Sequence, residues 1–315
     1  KSSLEHSKLR LIEQVLDPEP LVDRAWLDLM TWVSQYYHFP LGTTVVSALP
    51  RRLRESKCAD VVPDVTAAAA VLQSPGYALS KEQSDAVECI RSQQGFVAWL
   101  LDGVTGSGKT EVYMQVIIDR LQQNQQVLIL VPEIGLTPQT IERFQQRFSV
   151  PVVELHSNLA AKKRSINWLS VKCRQPMIII GTRSAIFAPF ASLGMIIVDE
   201  EHDLSFKQQS TLRYSARDVA VKCAHMRGIP VILGSATPSL ESLNQVARGR
   251  YKRLVLSQRV GGASLPSVTL LDMRKQEKKS GLSESLIERA RSVLDAGQQV
   301  MIFLNRRGYA PVLMC

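Results

Sequence analysis

The sequence predicts an α/β fold, a parallel sheet flanked by helices on both faces, and three observations carry that prediction. From Leu79 to about residue 258, short apolar runs alternate with helical patterns at the spacing of a parallel sheet. The runs are continuous rather than alternating, as strands covered on both faces read. The small polar and charged residues of this region gather just after the runs, where such sheets bind ligands.

The predicted strands are 96–101, 127–131, 152–155, 177–180, 195–198 and 231–233. The segments that follow them are 103–110, 132–137, His156-Ser157, 181–184, 199–202 and 234–238. One edge of the sheet is therefore expected to hold the chemistry.

The first of these segments, Gly103-Val104-Thr105-Gly106-Ser107-Gly108-Lys109-Thr110, fits G-x-x-x-x-G-K-[ST] at every specified position. Glycines let backbone N–H groups turn toward phosphates, and the helix that follows points its positive end at them. Lys109 then supplies charge to the β and γ phosphates, and Thr110 a hydroxyl to Mg²⁺. The alternative is a glycine-rich turn with a surface lysine. The apolar run before the loop and the helical face of Val112, Val116, Ile117 and Leu121 after it favour a nucleoside triphosphate site.

Asp199 and Glu200 end a strand about ninety residues after Lys109, where a second acidic motif belongs. Asp199 is the candidate to hold Mg²⁺, and Glu200 to orient and deprotonate an attacking water. Taken alone, the pair also reads as a solvated turn.

Composition bounds the rest. The chain has 315 residues, 45% of them hydrophobic, enough for more than one domain. Its apolar runs are strand-length, so no membrane span is expected. It opens with Lys1 and shows no signal-peptide pattern, which leads to the expectation of a cytoplasmic protein. Five cysteines (Cys58, Cys89, Cys173, Cys223 and Cys315) stand singly, which argues against a disulfide framework or a complete metal site and for reduced, mostly buried thiols. The net charge of +9 favours polyanionic partners.

Residues 1–54 read as amphipathic helices, closing on the aromatic stretch 36–39 and the basic run Arg51-Arg52-Leu53-Arg54. That combination suits either base stacking with phosphate contacts or a helix-packing cluster with solvated charges. Residues 55–78 read as a linker, and Lys162-Lys163-Arg164 as a solvated helix face. After a Gly261-Gly262 break, residues 259–315 predict a strand at 268–271, a helix at about 283–296 and a strand at 300–304, the opening of a second α/β domain.

Several motifs together carry a family resemblance. Asp199-Glu200-Glu201-His202 resembles the DEAH-type box of superfamily 2 helicases, and Gly234-Ser235-Ala236-Thr237-Pro238 resembles their S-A-T motif. Residues 132–140 (PEIGLTPQT) and 181–185 (GTRSA) stand where nucleic-acid-contacting motifs of that superfamily stand. Leu79-Ser80-Lys81-Glu82-Gln83 resembles the segment whose glutamine reads adenine. With FLNRRGYAP at 303–311, the set is similar to the PriA-type primosomal helicases over nearly the whole chain.

That resemblance implies a RecA-like P-loop NTPase domain at 79–258. It implies the tail of a DNA-binding domain before that region and the start of a second RecA-like domain after it. It implies an ATP- and Mg²⁺-dependent 3′-to-5′ DNA helicase or translocase that acts at stalled forks in replication restart. The implied partners are forked and single-stranded DNA, primosome proteins and single-strand-binding protein. By the same resemblance Gln83 and residues 103–110 bind nucleotide, and His202, Ser235 and Thr237 relay its state, although each of these three also suits a local turn bond. Thr182, Arg183, Lys207 and Tyr214 contact DNA by resemblance, with a strand-end turn as the alternative for the first two.

The sequence departs from the family at two places. The winged-helix module is missing or collapsed into 55–78, and Thr211 and Leu212 replace the residues usual in the aromatic-rich loop 206–214. Cys315 stands where the family's zinc ligands begin, so Zn²⁺ is expected only of a longer chain. The second domain's arginine is not within the sequence, so this chain is expected to bind nucleotide and hydrolyse it poorly. A non-catalytic nucleic-acid-binding module and an RNA helicase remain as alternatives.

Overall fold

The computed structural model describes residues 20–55, 70–73, 78–133, 135, 137–260, 267–272, 274, 278–279 and 282–303. The chain divides between residues 263 and 264 into two compact units.

The first unit is built on a seven-stranded parallel sheet in the order β3-β4-β2-β5-β6-β1-β7. Its strands are β1 (Ala98–Gly103), β2 (Gln126–Leu130), β3 (Val152–Leu155), β4 (Met177–Gly181), β5 (Leu193–Asp199), β6 (Val231–Ser235) and β7 (Lys252–Leu256). The six strands expected from the sequence are present, their ends displaced by no more than two residues. The seventh, β7, is an edge strand whose side chains are mostly exposed, so it lacks the apolar run that marks the others.

Alternation along each strand separates two cores. Leu100, Leu128, Ile179, Ile196, Val198 and Leu233 face one side, while Trp99, Leu101, Ile129, Ile178, Ile197 and Ile232 face the other. Helices α4 (Lys81–Arg91), α5 (Lys109–Gln122) and α6 (Pro138–Arg147) cover the second side. The first is covered by α1 (Arg24–Tyr36), α7 (Ala161–Ser170) and α8 (Ala216–Arg227). Both faces of the sheet are dry, as the continuous apolar runs require.

The helical segment before the linker docks on this sheet. Trp26, Leu29, Met30 and Val33 recur at i, i+3, i+4 and i+7 of α1 and are all buried, each contributing about 1.5–3 kcal/mol. Trp26 Nε1 donates to the Phe187 carbonyl at 2.9 Å, and the Ser215 amide donates to the Tyr37 hydroxyl at 3.2 Å. Helices α2 (Leu41–Ala48) and α3 (Arg51–Arg54) follow, the latter against α7.

Part of the expected linker is tied down. Leu72 bridges Phe148 and packs with Ala70 against the second core, and the Gln73 amide donates to the Arg147 carbonyl at 2.8 Å. The Arg147 guanidinium grips buried Glu111 of α5 through two bonds of 2.8 and 2.9 Å, and its Nε donates to the Gln73 carbonyl. One arginine thus fastens α6, the linker and the helix that follows the glycine loop.

In the second unit, Lys278–Lys279 (β8) and Leu282–Ser283 (β9) pair antiparallel, and Ser283 caps the predicted helix, α10 (Glu284–Asp295). The expected strands at 268–271 and 300–304 are not formed among the described residues. A β conformation needs a paired neighbour, and neither segment has one there.

Among the described residues no helix is long and apolar enough to cross a membrane. Among the described residues Cys223 is buried, Cys173 half-buried and Cys89 exposed. Cys58 and the candidate zinc ligand Cys315 lie outside the described residues.

Arg147→Met removes the cationic partner of the buried Glu111 carboxylate. It is expected to cost about 3–5 kcal/mol in urea denaturation, whereas Arg51→Met, at an exposed ion pair, should cost under about 1 kcal/mol.

Candidate functional site

The glycine loop joins β1 to α5 over the carboxyl edge of the sheet. Gly106 and Gly108 both have φ near +80°, and Gly108 is the residue that opens α5. A Cβ at Gly108 would collide with the Gln83 amide, so only glycine fits there. Ser80 and Gln83 form a capping box at the start of α4, and Gln83 Nε2 also donates to the Ser107 carbonyl at 2.9 Å. The side chain expected to read adenine is therefore bonded at both of its ends, to the Ser80 amide at the start of α4 and to the Ser107 carbonyl of the loop. Val104 and Thr105 are exposed at the crest.

Lys109 is buried beneath this loop. Its Nζ donates to the Gly103 carbonyl at 3.0 Å and lies 3.7 Å from Glu200 Oε1. Loop and acidic pair, ninety residues apart in sequence, meet at that ammonium. Ser107 Oγ is buried with no hydrogen-bond partner, an orphaned donor facing the loop interior.

Asp199 ends β5 with its Oδ1 accepting from the Tyr113 hydroxyl at 2.9 Å. Burial pushes the Asp199 carboxyl above its ordinary range, and the Tyr113 bond acts against that shift. Burial, then the charge of Asp199, also drives the Tyr113 phenol well up. The Tyr113 hydroxyl sits where a Cβ on residue 234 would be, which explains Gly234 at that position.

Glu200 adopts φ of +49°, uncommon for a residue with a side chain. The turn is fixed from both sides. The Asp203 amide donates to the Glu200 carbonyl at 2.8 Å, and the Glu201 amide to the Gly234 carbonyl at 2.9 Å. The Glu201 carboxylate is fully buried and accepts from Arg217 (3.0 Å), the Ser239 amide (2.7 Å) and hydroxyl (3.0 Å), and the Ser242 hydroxyl (2.8 Å). Sequence reasoning assigned Glu201 no role. The only sign of one is a third acid in a motif that needs two.

His202, Ser235 and Thr237 are brought together as one bonded group. His202 Nδ1 lies 2.7 Å from Ser235 Oγ, which accepts from the Thr237 amide at 3.0 Å, and 3.6 Å from Glu200 Oε2. Thr110, Asp199, Glu200 and His202 line one cavity of about 420 Å³, joined there by Thr140 and Arg143 of α6. Arg143 was likewise not anticipated.

A second cavity, of about 360 Å³, lies along the same edge beyond β3 and β4. Thr182, Arg183 and Tyr214 line it, while Lys207 does not. Thr182 is buried and Tyr214 packs its ring against Phe187, so of these three the half-buried Arg183 is the polar side chain best presented. Lys207 is exposed on the strand of chain that bridges Ser215. Arg183 also donates to the Ser205 carbonyl at 2.9 Å, and the Ser205 amide donates to Asp203 at 2.7 Å. A short bonded path therefore links Arg183 to the turn that holds Glu200.

Glu201→Ala removes the buried charge partner of Arg217 and the acceptor shared by Ser239 and Ser242. The loss should be about 3–5 kcal/mol by urea denaturation. Asp199→Asn relieves the cost of a buried charge, so it should raise Tm of the nucleotide-free chain measured by calorimetry.

The family model described as DEAD/DEAH box helicase matches residues 80–246, and that described as 3'DNA-binding domain (3'BD) matches residues 1–50. The replication restart protein PriA of Haemophilus influenzae is 39% identical over 388 residues, covering 100% of this chain and 53% of the relative. That of Treponema pallidum is 38% identical, covering 96% and 45%, and that of Bacillus subtilis 43% identical, covering 75% and 30%. The chain thus spans about half, or less, of the length of these relatives. From this match and from the Lys109–Glu200 geometry, the chain belongs to the DEAD/DEAH box helicases, and among them to the PriA type.

Proposed function

We propose that this chain forms the first motor domain, with its DNA-binding tail, of an ATP-dependent 3′-to-5′ DNA helicase or translocase of replication restart. The observation that carries the proposal is the convergence of Lys109 on both the Gly103 carbonyl and Glu200. Polarity, forked DNA, primosome and single-strand-binding partners, and a cytoplasmic location rest on the likeness to PriA proteins. The domain reading takes 1–54 as tail, 55–78 in place of a winged-helix module, 79–258 as motor and 259–315 as the start of a second motor domain, and the 3'BD match supports its first part. It is also supported by the longer span of the Haemophilus relative, 388 residues against 315 here. Zinc, with Cys315 as its first ligand, belongs to the same proposal.

The residues present fit a magnesium-bound triphosphate. The loop 103–110 turns through two left-handed glycines, and among the described residues the Ser107 hydroxyl has no hydrogen-bond partner. Among the described residues no group of three His, Cys, Asp or Glu side chains could hold a metal alone. Thr110 and Asp199 supply one hydroxyl and one carboxylate on the same cavity, the protein share of a site whose other ligands are phosphates and waters. Magnesium held there would neutralise developing charge on the phosphates.

The chain's own groups have distinct tasks. Lys109 presents its ammonium to the β and γ phosphates. Glu200, held by its turn on the cavity wall, accepts the proton of the attacking water. His202 and Ser235 read the position of Glu200 and pass it to Thr237, while Asp203 and Ser205 pass it to Arg183 at the DNA groove. The members between Glu200 and the two ends of the relay each touch a neighbour on either side, so a shift of Glu200 is felt beyond the site.

Lys109→Ala should weaken binding of a fluorescent ATP analogue at least tenfold. Glu200→Gln should keep that binding and, in a longer chain that includes a complete second motor domain, lower DNA-stimulated phosphate release by about 10²–10⁴. In that longer chain, unchanged release in Glu200→Gln would remove its assignment as base, and no response to DNA without the substitution would remove the motor.

A further inference from the structure

The second cavity holds more positive charge than the motif residues account for. Arg54 of α3 and Arg164 of α7 line it together with Arg183. Arg164, expected on a solvated helix face, is instead half-buried, with its guanidinium 3.5 Å from the Ser184 hydroxyl. Burial, and then the neighbouring Arg54, hold the Arg164 guanidinium below its usual range. Among the described residues neither Arg54 nor Arg164 is ion-paired with a carboxylate. The acid in the cavity, Glu133, is exposed and lies 3.6 Å from Arg183. Ser47, Ser157 and Ser184 add hydroxyls to the same walls.

Two guanidiniums held near each other without an anion repel, and a protein keeps such a pair where an anion joins them. We infer that Arg54 and Arg164 form a clasp for a backbone phosphate of single-stranded DNA, beside the contact expected of Thr182 and Arg183. The planar donors of arginine suit a phosphodiester, which offers two free oxygens. The cavity opens on the edge of the sheet where β3 and β4 end, so a strand could run on from it. Arg54 reaches it from just beyond the segment that matches a 3'DNA-binding domain. The clasp therefore joins the N-terminal helices to the motor domain's DNA path. The inference rests on the reading of this chain as a DNA motor.

The test uses Arg54→Gln, Arg164→Gln and Arg54→Glu in the 315-residue chain, with anisotropy of a labelled DNA 20-mer followed between 50 and 200 mM salt. Each glutamine variant should weaken binding roughly tenfold. Each should also reduce the log-affinity against log-salt slope by about 0.7, the value for one phosphate contact on a single strand. Arg54→Glu separates binding from folding. Its carboxylate pairs with Arg164, so Tm should rise while DNA affinity falls below that of Arg54→Gln. Unchanged slope and affinity in both folded glutamine variants overturns the clasp. So does millimolar inorganic phosphate raising Tm through Arg164 while DNA affinity ignores both arginines, because the site would then serve free phosphate. Binding of a fluorescent ATP analogue, measured on the same proteins, separates the two readings. Nucleotide binding with an unaltered slope removes the clasp and leaves the motor. A reduced slope with no nucleotide binding in any protein removes the motor and leaves the clasp.

Discussion

The buried carboxylate of Glu201 is the constraint on which the site depends. A charge without water around it is tolerated only when it is fully bonded, and Arg217, Ser239 and Ser242 supply four such bonds. Those bonds fix the chain direction just after Glu200, and the Glu201 amide on Gly234 fixes its height against β6. Glu200 is left with a left-handed backbone that an isolated turn would not favour. Its side chain is thereby presented to Lys109 rather than to solvent alone. The reactive carboxylate is placed by its inert neighbour.

The same division recurs on the other side of the cavity. Lys109 is exact in position because Gln83 and Gly108 hold the loop, and Asp199 because Tyr113 fills the space that Gly234 leaves open. Each functional group touches one small residue and one buried hydrogen bond. Glu111, on the first turn of α5, adds a further anchor through Arg147 to residues far outside the site. The loop's geometry is thus tied to the end of α6 and to the linker at 70–73.

The parts of the structure that repeat a pattern were legible in the sequence. Six strands announced themselves as apolar runs because both of their faces are buried, and the residues after them did assemble on one edge. Lys109 and Glu200 were paired by spacing alone. What was hidden depends on partners distant in the chain. β7 is an edge strand whose sequence opens with Lys252 and Arg253, so it has no apolar signature. Arg164 sits in a run of three cations that looks uniformly solvated, yet the fourth turn-mate, Arg54, comes from more than a hundred residues earlier. Glu201 looks like one more surface acid until α8 and the helix Leu240–Ala247 close over it. Gln83 was read by its motif, whereas its bonds show a residue that also builds the loop.

The edge position of β7 has a consequence for self-association. One side of β7 pairs with β1, and among the described residues no strand pairs with the other. Bare backbone on a sheet margin is a template for stacking with another copy. Lys252 and Arg253 lie on that margin, bonded to Gln93 and Asp102, and their charges discourage a second molecule from adding there. Addition of another chain along this edge is thereby disfavoured, and neutral substitutions at those two positions would weaken that guard.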